Sequence, residues 1–230
     1  MATVLITGTN RGIGLEFVTQ YIARGYRVIA TCRNIEMADE LRQLQMTHGT
    51  LLVRELDVAK QESIKDFAQA VKGENIDIFI NNAGVSGPRD MGFGKVDARS
   101  WASVLLVNTI APLMLTQALF KSLQRGGQKK LVYLSSKMGS ISENTSGGSY
   151  VYRSSKTALN QVVKSLGIDL ADEGFIAAAL HPGWVLTDMG GPNALIDAAT
   201  SVRGMMEVID KLQPDHTGLF INYDGNILPW

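Results

Sequence analysis

The sequence predicts a doubly wound α/β domain with a mainly parallel sheet of seven strands, and three observations lead there. An apolar run, Thr3 to Ile6, passes through the turn Thr7-Gly8-Thr9-Asn10-Arg11-Gly12-Ile13-Gly14 into an amphipathic run, which reads as strand, glycine turn, helix. Strand-like and helix-like runs then alternate along nearly all 230 residues. The strand-like runs are almost continuously apolar, as parallel strands are when helices cover both faces.

In chain order, Ile13, Phe17 and Tyr21, with Val18 and Ile22 beside them, form the buried stripe of the first helix, which Gly25 ends. Arg27 to Cys32 reads as the second strand, Ile35 to Met46 as a helix and Leu51 to Leu56 as the third strand. Ile64, Phe67, Ala68 and Val71 fall at i, i+3, i+4 and i+7, making a helix ahead of the strand Ile76 to Ile80. After Asn81-Asn82-Ala83-Gly84 comes a loop with Gly87, Pro88, Gly92 and Gly94, then a long helix from about Ser100 to Leu123 striped by Trp101, Val104, Leu105, Leu115 and Leu119. Leu131 to Leu134 is the fifth strand, Tyr152 to about Ala171 a helix, and Ile176 to Leu180 the sixth strand, stopped by Pro182 and Gly183. Thr200 to Leu212 is the last helix, and Leu219 to Tyr223 the last strand, closed by Asp224-Gly225.

Composition narrows the function classes. A hydrophobic share of 45% with 19% charged residues suits one globular domain over residues 1–230. Lys plus Arg equals Asp plus Glu at 22 each, so no global field recruits nucleic acid or anionic lipid. A single cysteine, Cys32, excludes an internal disulfide and a cysteine metal cluster, and is expected to pack as a small apolar residue. Three scattered histidines, His48, His181 and His216, suggest no metal site; His181, beside Pro182, is expected to be structural, the others solvent-facing. The chain enters its first strand at once, without a signal-peptide pattern, so a cytoplasmic protein is expected. Leu113 to Phe120 is far short of a membrane span, and no membrane segment is expected.

The glycine turn carries the first chemistry. Its three glycines suit a sharp turn close to a ligand, and the N–H groups of the helix that follows lack internal partners, forming a site for a pyrophosphate. An ordinary glycine-rich turn is the alternative. Tyr152 and Lys156 lie four apart on one helix face, where a nearby ammonium favours the phenolate of a tyrosine and lets it exchange a proton with an alcohol or ketone. A surface Tyr and Lys would show the same spacing. Ser135-Ser136 ends the fifth strand, at the sheet edge where such folds bind ligands. Asn108 inside the long helix points to a functional or kinking role. Met138, Ile141, Trp184 and Met189 are candidates for an apolar substrate pocket or for core.

Thr7-Gly8-x-x-x-Gly12-x-Gly14, Asp57, Asn81-Asn82-Ala83-Gly84, Asn108, Ser136, Tyr152-x-x-x-Lys156 and Pro182-Gly183 occur in the order of the short-chain dehydrogenase/reductase motifs, and the chain resembles that family over almost its whole length. The endings His181-Pro-Gly-Trp-Val-x-Thr-Asp-Met-Gly-Gly and Tyr223-Asp-Gly-x-x-x-x-Trp resemble its small carbonyl reductases, of the sniffer and C-factor type. The resemblance implies a single Rossmann-type domain. It implies that Tyr152 is the general acid, that Lys156 lowers its pKa and bonds the nicotinamide ribose, that Ser136 holds the carbonyl and that Asn108 supports a water beside Lys156. It also implies a cofactor set: Gly8, Asn10, Arg11, Gly12, Ile13 and Gly14 in the turn; Asp57 and Val58 at the adenine; Asn81, Ala83 and Gly84 at the ribose; and Pro182, Gly183, Val185 and Thr187 near the nicotinamide. Two-fold pairing of the long helices into a homodimer, or a higher homo-oligomer, is an arrangement common in the family, although its small carbonyl reductases include monomers.

Fifteen residues separate Ser136 from Tyr152, three more than in many family members, and a longer loop accounts for them. Ser140 and Tyr150 are the competing serine and tyrosine; Ser140 lies beyond the strand end, and Tyr150 has Ser154, without charge, at i+4. At the end of the second strand Cys32 stands where an acid would favour NAD(H), and Arg33 follows with donors suited to a 2′-phosphate, so the expected cofactor is NADP(H). The expected activity is NADPH-dependent reduction of a small apolar or aromatic aldehyde or ketone. The alternatives are an NAD-dependent alcohol dehydrogenase and a nucleotide-binding regulatory or signalling protein of C-factor type.

Overall fold

The computed structural model describes residues 1–88 and 90–230. Seven strands, β1 (Thr3–Thr7), β2 (Arg27–Cys32), β3 (Leu51–Glu55), β4 (Ile78–Asn81), β5 (Lys130–Leu134), β6 (Ile176–His181) and β7 (Leu219–Asn222), form one sheet in the order β3-β2-β1-β4-β5-β6-β7. Every pairing is parallel, with Val4 opposite both Val28 and Ile78, so the sheet is wholly rather than mainly parallel. The order reverses between β1 and β4, which leaves a crevice above their carboxyl ends.

Helices α1 (Gly12–Ala23), α2 (Asp39–Thr47) and α7 (Ala198–Lys211) cover one face, where Phe17, Val18, Tyr21, Leu41 and Met205 pack on Val4, Ile6, Val28 and Ile80. On the other face α3 (Gln61–Ala70), α5 (Ala111–Gln124) and α6 (Tyr150–Asp169) lay Phe67, Leu115, Leu119 and Val163 on Leu5, Phe79, Leu131 and Tyr133. Both faces of each central strand are thus apolar, which explains why the strands read as unbroken hydrophobic runs.

Several expected boundaries shift for local reasons. Helix α2 starts at Asp39 rather than Ile35, after a turn in which the Asn34 side chain accepts from the Met37 N–H. Helix α6 starts at Tyr150, two residues before Tyr152. The long helix is interrupted. Helix α4 (Ala98–Leu105), capped by the Asp97 carboxylate accepting from Ser100 N at 2.7 Å, passes into a π-helical segment, Leu106–Ile110, before α5. Pro112 has no N–H to return to the carbonyl of Asn108, four residues back, and the bulge falls there. Trp101, expected in the buried stripe, is 37% exposed and donates its indole N–H to Ser154. By length and composition the run Ala98–Gln124 would suit a membrane span, contrary to expectation, but within it Val104, Leu115, Leu119 and Leu123 are buried in the fold, as in a core helix.

Candidate active site

Two cavities meet above the carboxyl ends of the strands. The first, of about 500 Å³, follows the crevice between β1 and β4. The second, of about 730 Å³, opens beyond β5 and β6. Tyr152 lines both, as do Ile13, Pro182, Thr187 and Met189. A molecule in one cavity would therefore touch a molecule in the other beside the Tyr152 ring.

The floor of the first cavity is the glycine turn. Gly8 and Gly12 take positive φ, +69° and +57°. A Cβ on Gly14 would strike the Gly8 carbonyl and come within 2.5 Å of the Asn82 amide nitrogen, so only glycine lets α1 begin here. Helix α1 has no side-chain cap and no acid in its first turn, leaving its N–H groups and dipole directed into the cavity. Gly8, Asn10, Arg11, Gly12, Ile13 and Gly14 line this wall as expected. Arg33, Asp57 and Val58 close the far end, Ala83 and Gly84 one flank, and Pro182 and Thr187 the end nearest Tyr152 and Lys156.

Three expected residues lie elsewhere. Asn81 turns inward, 4% exposed, and its side-chain oxygen accepts from the Thr7 hydroxyl at 3.0 Å, so it fastens β4 to β1 and does not line the cavity. Gly183 and Val185 line the second cavity, not the first. The residue of the Asn-Asn pair that shapes the site is Asn82, whose amide donates to the carbonyls of Thr7 at 2.8 Å and Gly8 at 2.9 Å. Leu56, Ala59, Val85, Val107, Leu134, Leu186 and Asp188 also border the first cavity without having been singled out. Leu56 and Leu134 sit at strand carboxyl ends, where the fold alone directs attention. Cys32 is 2% exposed and packs as expected, yet also borders this cavity; burial pushes its thiol pKa up.

Ser136 lines the second cavity, while Ser140 is 1% exposed, donates to the Trp230 carbonyl and accepts from Glu143 N, both at 3.2 Å. Tyr150 is exposed on the first turn of α6 and borders neither cavity. Met138, Trp184 and Met189 line the second cavity; Ile141, 71% exposed, does not. His181, expected to be structural, forms part of the same wall, and burial holds its imidazole pKa down to about 4.

The polar core of the site departs from expectation in one respect. Burial pushes the Tyr152 phenol above its ordinary pKa, and only the bond with the Ser136 hydroxyl draws it back. Lys156 does not oppose this. Its ammonium donates to the Leu134 carbonyl at 2.8 Å and sits 5.9 Å from the Tyr152 ring centre, its own pKa held down to about 8 by burial. Tyr152 is thus a protonated phenol at neutral pH, able to give a proton rather than take one. Asn108 lines neither cavity: its amide donates to Val85 O at 2.8 Å and Ser155 Oγ at 3.0 Å, and its oxygen accepts from Val85 N at 2.9 Å. Both amide donors are spent on binding α6 to the loop after β4. Its oxygen and the Lys156 nitrogen nevertheless face the same side of Gly84, 3.3 and 3.5 Å from where a Cβ would stand.

The sequence and the fold are similar to those of known proteins. The chain is 46% identical over 167 residues to the C-signal of Myxococcus xanthus, covering 73% of this chain and 100% of that protein. It superposes on carbonyl reductase Sniffer of D. melanogaster with a TM-score of 0.96 and 35% identity over 100% of both chains. On the NADPH-bound carbonyl reductase from chicken fatty liver the TM-score is 0.94 at 34% identity, covering 100% of this chain and 99% of that one. The short chain dehydrogenase family model matches residues 2–195, and the chain belongs to that family of oxidoreductases.

Proposed function

We propose that the protein reduces a small apolar or aromatic aldehyde or ketone with NADPH. The observation that carries the reading is the meeting of the two cavities at Tyr152, with Ser136 on the substrate side and Lys156 on the cofactor side. The first cavity fits a dinucleotide: the glycine turn has the space only glycine leaves, and the uncapped start of α1 suits a pyrophosphate. Arg33 and Arg11 border its outer part, where no acid replaces Cys32, and this favours a 2′-phosphate. The NADPH bound by the chicken carbonyl reductase supports the same choice.

When bound, a reduced nicotinamide supplies the hydride. The chain's own residues do the rest. Ser136 accepts from Met138 N at 3.2 Å, and its O–H, which lies beside the Tyr152 phenol, can turn to donate to a carbonyl oxygen. The protonated Tyr152 phenol gives its proton to that same oxygen as negative charge develops there. Lys156, still charged at neutral pH and anchored at Leu134, stabilises the phenolate that remains and, lining the first cavity, would hold a ribose hydroxyl of the dinucleotide. Ile13, Pro88, Met91, Met138, Val151 and Trp184 give the second cavity an apolar wall suited to a hydrophobic carbonyl compound.

The test is NADPH consumption by the purified protein over a panel of aliphatic, aromatic and dicarbonyl compounds, with NADH in parallel. Turnover with NADPH supports the reading. Oxidation of an alcohol with NAD+, and carbonyl reduction with NADH but not NADPH, would favour an alcohol dehydrogenase. Tight NADPH binding without turnover of any compound would favour a nucleotide-sensing signalling protein, a reading the likeness to C-signal supports.

A further inference from the structure

Ser136 sits in a segment that one helix grips on both sides. On its amino side, Lys156 holds the Leu134 carbonyl at 2.8 Å and the Ser135 hydroxyl donates to Asn160 Oδ1 at 2.5 Å. On its carboxyl side, the carbonyl of Gly139 accepts from Thr157 Oγ1 at 2.9 Å and from Asn160 Nδ2 at 3.3 Å. Arg153 reaches the Met138 carbonyl at 3.3 Å. Arg153, Thr157 and Asn160 are spaced i, i+4, i+7, so they form one stripe of α6 beside the Tyr152 and Lys156 stripe. The fit is close: a Cβ on Gly139 would come within 2.8 Å of Lys156 Cβ and 2.9 Å of its carbonyl carbon.

Asn160 alone in this stripe reaches both sides of Ser136. It is 3% exposed, and its one amide accepts from Ser135 and donates to Gly139, spanning the short 3₁₀ turn Lys137–Gly139. Within that turn the Ser136 hydroxyl accepts from Met138 N at 3.2 Å and its carbonyl from Gly139 N at 2.7 Å. The sheet fixes the amino side of this segment through Ser135 N donating to Leu180 O at 2.7 Å, and the bonds that carry the turn after Ser136 back to the helix bearing Tyr152 come from Arg153, Thr157 and Asn160.

We infer that Asn160, assisted by Thr157, is a positioning residue that registers the Ser136 hydroxyl against Tyr152 and the substrate carbonyl. The inference rests on the proposed reductase reading. Its physical basis is that a hydrogen-bond donor acts on a developing charge only within a narrow geometry, and a displacement of about 1 Å costs on the order of a hundredfold in rate.

The experiment is a double-mutant cycle read in kcat and in the KM of each substrate. Asn160→Ala, with NADPH affinity unchanged, is expected to lower kcat by roughly 10- to 100-fold. In the Ser136→Ala background the same change should lower kcat by no more than about threefold, because Asn160 then has no hydroxyl left to place. Thr157→Val, nearly isosteric and with the second donor to Gly139 removed, should show the same non-additivity with a smaller loss, and Thr157→Ser should restore the rate. Equal losses with and without Ser136 would overturn the inference, as would a Thr157→Val rate matching wild type. Should Asn160→Ala not fold, the Thr157 pair decides alone. An inert wild type would sink the reductase reading instead; crystal structures of the variants would then decide, a Ser136 hydroxyl moved by about 1 Å or more supporting the inference and an unmoved one overturning it.

Discussion

Lys156 gives its ammonium to the Leu134 carbonyl at 2.8 Å, tying the second turn of α6 to the end of β5. This bond fixes Tyr152, one turn earlier, over the boundary of the two cavities. The lysine is oriented by backbone and buried, so its charge is ready without being neutralised by a carboxylate. Tyr152→Phe removes only the hydroxyl and leaves this frame in place. Turnover should fall on the order of 100-fold or more, with NADPH affinity retained in a fluorescence titration. Activity surviving in this variant would assign the proton to another group.

Ser136 and Ser140 should separate cleanly. Ser136→Ala removes the hydroxyl that lies beside Tyr152 at the cavity wall and should lower kcat strongly with little change in melting temperature. Ser140→Ala instead breaks two bonds, to Trp230 O and from Glu143 N, and should cost about 1 kcal/mol of stability with kcat nearly intact. Thermal melts and initial rates on the two variants check the pair; the reverse pattern would mean that Ser140 holds the carbonyl.

What the sequence could reveal followed from how local each feature is. The strands were legible because covering both faces of a parallel sheet forces unbroken apolar runs such as Val4-Leu5-Ile6. Tyr152 and Lys156 were legible because i, i+4 on one helix fixes their relation. The exchange of roles between Asn81 and Asn82 was not. Both are polar residues at a strand end, and only the fold decides that Asn81 takes the Thr7 hydroxyl while Asn82 takes the carbonyls of Thr7 and Gly8. A kink at Asn108 was among the readings, but its π-helical form was not, although Pro112, four residues on, contained its cause. Ile141 was a candidate for substrate wall or for core by composition, and it is neither: it lies exposed on the loop between β5 and α6. The phenol of Tyr152 was expected to be lowered by its lysine; instead burial, which depends on the whole fold, raises it, and the opposing influence is the Ser136 side chain.

Gly14→Ala tests the glycine turn as a built cradle. The new methyl would meet the Gly8 carbonyl and the Asn82 amide, so either the turn opens or α1 shifts. A loss of roughly 1 to 3 kcal/mol is expected, together with weakened NADPH binding. Gly49→Ala, at an exposed position with nothing within 4 Å, is the control and should leave both unchanged. Normal NADPH affinity in Gly14→Ala would show that the turn does not shape the dinucleotide site.

His181 should make stability depend on acid. Burial and the nearby Lys137 charge hold its imidazole down, with Asp224 opposing, so the folded form resists protonation until about pH 4, whereas the unfolded form protonates near 6.5. Between these values the unfolded chain binds more protons, and stability falls as pH falls. His181→Asn should remove a loss of roughly 2 to 3 kcal/mol between pH 6.5 and 4. Urea unfolding of both proteins at the two pH values measures it, and equal pH dependence would assign the acid sensitivity elsewhere.

Cofactor choice follows from the two arginines, which the structure treats differently. Arg33 borders the outer end of the first cavity, while Arg11 pairs with Asp188 at 2.9 Å across the cavity mouth. Both partners of that pair are mostly exposed, so the pair is weak and a phosphate can draw Arg11 away. A charge-assisted bond is worth roughly 1.5 to 3 kcal/mol, so Arg33→Ala should weaken NADPH by roughly ten- to a hundredfold and leave NADH almost unchanged. Arg11→Ala should do less, because part of its interaction is already spent on Asp188. Asp188→Asn should act in the opposite sense and tighten NADPH by up to roughly fivefold, the size of an exposed ion pair. Titrations of the wild type and the three variants with both cofactors decide the matter. Equal changes for NADPH and NADH would mean that neither arginine reads the phosphate, and a weakened Asp188→Asn would mean that the carboxylate positions Arg11 rather than competing for it.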